Sequence, residues 1–220
     1  MTEAPSPIFL LLLGVAVGLL PFLLMLCTSF LKVAIVLALV RNAIGVQQIP
    51  PPMALNGLAI IITLFIMLPV ASDTLGILER HKLPERISAI RPAEVVEIAS
   101  AAGGPLKDFM MRNTHRPVSN TLEQTARRIW PERFHGIIKS DNIAILTLSF
   151  TISEISRAFE IGFLLYLPFI CIDLVVSNIL LAMGMMMVSP MTISLPFKLL
   201  LFVYLDGWVK VFQGLMLSYR

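Results

Sequence analysis

Hydrophobic residues fall along this chain in long blocks rather than in alternation. From Ile8 to Val40 the only charged residue is Lys32, and that block exceeds the roughly 20 residues with which one helix crosses a bilayer. Pro21 lies inside it and is expected to bend it. Arg41 and Asn42 open a polar connector, RNAIGVQQIPPP, in which Gly45 suits a helix end and Pro50, Pro51 and Pro52 cannot continue a helix. A second apolar block, Met53 to Ala71, is about one span long and is expected to end near Pro69. Together the two blocks predict an apolar helical hairpin over residues 1–72.

The pattern then changes. Residues 73–141 hold 11 of the 17 lysines and arginines and 9 of the 14 acids, which predicts a water-facing module over 73–140. Pro92 with Glu94 marks a helix start and Gly103-Gly104 its end. Asn120 with Glu123 resembles a capping box before Leu122, Ala126, Ile129 and Trp130. At Asp141-Asn142 the chain returns to apolar sequence, in a block longer than any single span that Pro168 is expected to bend. After Pro190 a last apolar run is interrupted by Lys198, Asp206 and Lys210. The expected fold is therefore all-α: two long apolar helical hairpins, residues 1–72 and 141–220, flanking a small helical extramembrane module.

Composition supports an environment of lipid or other apolar chains, with 57% hydrophobic residues, 14% charged residues and a mean hydropathy of +0.85. The net charge of +3 and pI near 9.1 could suggest nucleic acid, yet no continuous basic run or interleaved aromatic pattern accompanies them. No nucleic-acid partner is expected. Cys27 and Cys171 lie in apolar runs and read as small buried hydrophobes, not as a disulfide or zinc framework. The first residues carry Glu3 and no basic group before the apolar block, so the segment reads as retained, not as a cleaved signal.

Enzyme chemistry finds little support. His81, His115 and His135 are scattered through the polar module without metal-ligand spacing, so neither a metal nor another cofactor is expected. Asp173 and Asp206 could imitate the paired acids of an intramembrane protease, but CIDLV and YLDGW lack that family's motif. Within apolar runs, Asp173, Lys198 and Asp206 must face protein, one another or water, because a charge facing lipid costs a few kcal/mol or more. Glu154, Arg157 and Glu160 alternate in sign at i, i+3 and i+6 and are expected to share a helix face as a register-setting ladder. The alternative is an ion- or solute-coupled transporter that uses Glu154, Glu160 and Asp173 as buried acids.

One stretch stands apart. Met185, Met186 and Met187 are consecutive, and a helix would spread them over about 200 degrees of its circumference. Gly184 before them and Ser189-Pro190 after them supply a bend from which all three can project together. Unbranched, polarizable thioethers suit a deformable surface. In a ring of copies, such tips would form an apolar seal.

The stretch TISEISRAFEIGFLLYLPFICIDLVVSNILLAMGMMMVSPMTISLPFKLLLFVYLDGW resembles the signature region of the FliP/SctR family, membrane subunits of the type III secretion export gate. The segment TSFLKVAIVLALVRNAIGVQQIPP resembles that family's first block. The resemblance implies a homo-oligomer of about five copies, assembled with SctS-like and SctT-like subunits and working with SctU-like and SctV-like components. It implies a channel in the bacterial inner membrane for unfolded secreted polypeptides, in contact with membrane lipid and raised in part to the periplasmic side, without enzymatic activity. It assigns the gasket of that channel to Met185, Met186 and Met187. Flagellar members tend to carry a cleaved signal, so the injectisome branch is favoured. The family pattern places the polar module in the periplasm, against its 11 basic residues, although the positive-inside rule weakens for loops beyond about 60 residues.

Overall fold

The computed structural model describes residues 7–46, 49–80, 98 and 100–219, and every regular element among them is helical. The apolar blocks form helices because a backbone away from water must satisfy its own N–H and C=O groups, which a helix does within one segment. Helix α1 (Pro7–Cys27) leads into α2 (Phe30–Ile44), which is inclined at 76° to the Pro21–Cys27 part of α1. The bend expected at Pro21 lies instead at Thr28-Ser29, while Pro21 stays within the helix. At the break the Thr28 hydroxyl accepts from the Phe30 N–H at 3.4 Å, a local bond that competes with the helical ladder.

Helix α2 is the centre of the molecule. Val33, Val36, Leu37, Val40, Ala43 and Ile44 are buried at three- and four-residue spacing. They meet residues of α3 (Pro52–Arg80), α6 (Ile143–Ala182), α7 (Pro190–Tyr204) and α8 (Gly207–Leu217) in one cluster. Burial of a side chain such as Leu37 contributes about 1.5–3 kcal/mol. As expected, Gly45 ends α2: its φ of 87° is left-handed, and its N–H bonds the Asn42 carbonyl at 3.1 Å.

Helix α3 does not end near Pro69. It continues through Pro69 and Ala71 to Arg80, across the boundary expected at 72, because neighbouring carbonyls and side chains tolerate a proline in an apolar helix. The helix start expected at Pro92 and Glu94 lies outside the described residues, as do His81 and part of the polar connector. Gly103-Gly104 both ends a helical turn at 100–102 and starts α4 (Gly104–Asn113), where Pro105 takes the first turn. Helix α5 (Arg116–Ile129) begins ahead of Asn120, the expected cap, because Pro117 presets the first turn and His115 is the extended N-cap. Ala126 is buried, whereas Ile129 is exposed. A 3-10 turn (Glu132–Ile137) leads to Asn142, whose side chain accepts from the Ala144 N–H at 3.0 Å and caps α6.

Helix α6 runs 40 residues, roughly 60 Å, without a break at Pro168. Helices α7 and α8 meet at 59°. By length and composition α3 and α6 can each cross a membrane, and the described residues offer up to four spans if each bent pair counts as one. Cys27 is buried as expected, whereas Cys171 is exposed on α6.

Candidate functional site: a methionine turn and two buried charge clusters

Between α6 and α7 the chain reverses through a short turn whose geometry follows from its residues. Gly184 takes a left-handed φ of 72° with nothing within 4 Å of the position a Cβ would occupy, so conformation rather than space requires glycine. Its N–H bonds the Leu181 carbonyl at 3.0 Å and the Met185 N–H bonds the Leu180 carbonyl at 2.9 Å, the paired bonds of a Schellman cap. Ser189 is extended and Pro190 opens α7. Held between these two stops, Met186 is 81% exposed and Met187 101% exposed, with Met185 at 43%. Among the described residues, none covers Met186 or Met187.

The charges in the apolar blocks form two clusters. In the first, the Lys198 ammonium lies 2.6 Å from the Asp173 carboxylate, and the Ser194 hydroxyl donates to the same carboxylate at 2.6 Å. Lys198 also donates to the Ala43 carbonyl at 3.4 Å, so one buried cation ties α7 to α6 and α2. Asp206 takes no part. It lies at the α7–α8 junction with a φ of 51° and makes no ion pair among the described residues.

In the second cluster, Lys32 and Glu154 are both fully buried and 3.5 Å apart. Arg157 lies 3.7 Å from Glu154 and donates to the Asn113 carbonyl and to His115 Nε2, each at 3.0 Å, which ties α6 to the polar module. The Tyr219 hydroxyl donates to the other Glu154 oxygen, and the Lys32 ammonium sits 3.4 Å from the centroid of the Tyr219 ring. Burial first, then the Glu154 charge, push the Tyr219 phenol far above its ordinary pKa, so it remains a donor.

The expected ladder is therefore shorter than expected. Glu154 and Arg157 pair, but Glu160 is exposed and has no ion pair among the described residues. Three-residue steps drift by about 60° each on a helix, so Glu160 sits about 120° away from Glu154. The acids also do not converge. Asp173 is roughly 28 Å along the axis of α6 from Glu154, which leaves a carrier no shared acidic site. The partners Tyr219, Ser194 and His115 were invisible as such in the sequence, because each contact joins residues remote in the chain.

Comparison with known proteins extends the resemblance across the whole fold. The chain is 47% identical over 219 residues to Yop proteins translocation protein R of Yersinia pestis, covering 100% of this chain and 99% of that one. It is 44% identical over 219 residues to harpin secretion protein HrcR of Erwinia amylovora, covering 99% of each. It is 44% identical to virulence protein YscR of Salmonella typhimurium, covering 100% of both chains. The FliP family pattern matches residues 12–215, from α1 into α8, and takes in the methionine turn, the Asp173–Lys198 pair and the Lys32, Glu154 and Arg157 charges. On that match, over nearly the entire chain, the protein belongs to the FliP family.

Proposed function

We propose that this chain is a core subunit of the type III secretion export gate of an injectisome. About five copies, with SctS-like and SctT-like subunits, form an inner-membrane channel for unfolded secreted polypeptides, next to SctU-like and SctV-like components. The relatives' names, which refer to Yop translocation and harpin secretion, support the secretion reading. The polar module faces the periplasm and the chain performs no catalysis.

The observation that carries the channel reading is the methionine tip. Three thioether side chains stand exposed at a rigidly capped turn, where an isolated chain gains nothing from them. In a ring they meet at the axis and close the narrowest part of the pore with a deformable apolar seal. Replacing Met185, Met186 and Met187 together with alanine is expected to raise small-ion conductance of the inner membrane while the particle still assembles. Unchanged conductance in an assembled particle contradicts the seal.

Glu160, exposed and without an ion pair among the described residues, is available to pair between copies. Native mass spectrometry of the purified particle tests the oligomer itself, with a detergent-stable assembly expected and a solute-binding monomer opposed to it.

A further inference from the structure

The C-terminal end of α2, Val46, Ile49 and Pro50, and the α7–α8 junction line an open-sided cavity of about 590 Å³. Most of its wall is apolar, including Ile44, Val46, Phe202 and Trp208. Two charged residues also line it. Arg41 has its Nε buried without a hydrogen-bond partner. Asp206 is exposed, makes no ion pair among the described residues and takes a left-handed φ of 51°, a region that aspartate visits more readily than most residues.

A buried guanidinium nitrogen without an acceptor is destabilising unless an occupant supplies one. The two side chains share one cavity without pairing, so the occupant that suits them carries both signs. Phosphate is the planar guanidinium's natural partner, and it can be held by two parallel bonds. A primary ammonium would face Asp206, and the last carbonyls of α2 favour a cation there as well. Trp208 is an amphipathic ring of the type found at headgroup level, and the apolar wall suits an acyl chain. Arg41 itself stands where the apolar block of α2 gives way to the polar connector, as a residue at the membrane interface would.

We propose that this cavity binds a phospholipid of the surrounding membrane whose headgroup carries both a phosphate, held by Arg41, and a primary ammonium, held by Asp206. The site goes beyond the export reading and does not depend on it. The lipid lies between α2 and the α7–α8 junction, with its acyl chain against the apolar wall.

The test is native mass spectrometry of the detergent-purified full-length protein, in its assembled state. The protein is delipidated and re-equilibrated with an equimolar mixture of phosphatidylethanolamine, phosphatidylglycerol and phosphatidylcholine of identical acyl chains. Wild type is expected to retain phosphatidylethanolamine about tenfold over the other two, the scale of one charge-assisted hydrogen bond. Asp206→Asn is expected to bring phosphatidylethanolamine and phosphatidylglycerol to near parity, and Arg41→Gln to reduce retention of all three lipids about tenfold. Wild type without headgroup preference overturns the proposal and needs no variant to fold. Undiminished lipid on Arg41→Gln overturns it as well. So does a photoreactive residue at Val209, on the cavity wall, that labels a protein chain and no lipid.

Discussion

The buried Lys198 and its partner Asp173 differ in what the removal of each would cost. Lys198 is 4% exposed, while the Asp173 side chain is 40% exposed. Removing the acid strands a cation in the core, whereas removing the lysine leaves an acid that can meet water. Asp173→Asn is therefore expected to destabilise by about 3 kcal/mol and Lys198→Met by clearly less, read as loss of thermal stability of the purified protein. The reverse order contradicts the assignment. At the turn, Gly184→Ala forces a Cβ into the left-handed region and is expected to cost roughly 1–2 kcal/mol, again read as thermal stability. The turn was legible in the sequence because its signals are local: a glycine, three methionines and a serine-proline pair occupy seven consecutive positions. Lys32 stood out as the lone charge of its block, but its partner Glu154 is 122 residues away, and nothing local announces that distance.

Among the elements, the contact of α2 with α6 sets the architecture. At Gly162 a Cβ would lie 2.2 Å from Leu39 Cδ1 and 3.2 Å from Leu39 Cβ, so rotation of the leucine alone does not clear the space. Gly162→Leu is expected to cost about 1–3 kcal/mol through overpacking and to lower the yield of assembled particle, measured by size-exclusion chromatography. Arg157 joins the same helix to the polar module through Asn113 and His115. Arg157→Glu brings a second acid beside the buried Glu154 and is expected to impair assembly more than Arg157→Gln does. Equal effects in blue-native gels contradict a role for the charge. Helix identity was legible throughout from block length, and helix ends only where a cap is local, as at Gly45 and Asn142. Prolines misled the reading. Pro21, Pro69 and Pro168 all lie inside helices, while the actual break at Thr28-Ser29 rests on weaker hydroxyl signals.

At the scale of the whole molecule, the isolated chain exposes 15443 Å², against about 10,000 Å² for a compact monomer of its mass. The excess is apolar in character along α1, α3 and α6, where residues such as Phe22, Phe65 and Phe163 are more than 60% exposed. Such surface is covered by lipid or by other chains. The sequence foretold this from its hydropathy, but whether a given face meets lipid or a sister copy depends on contacts that one chain does not contain.

In the proposed ring, the methionine tips of several copies converge on one axis. The most direct test of that convergence is thiol cross-linking of Met187→Cys in a background carrying Cys171→Ser, within membranes and with a short bifunctional reagent. A ladder of covalent oligomers reaching about five copies is expected, reduced when an export substrate is trapped in the channel. Cross-linking confined to monomers and random dimers, in a particle that has assembled, would contradict it.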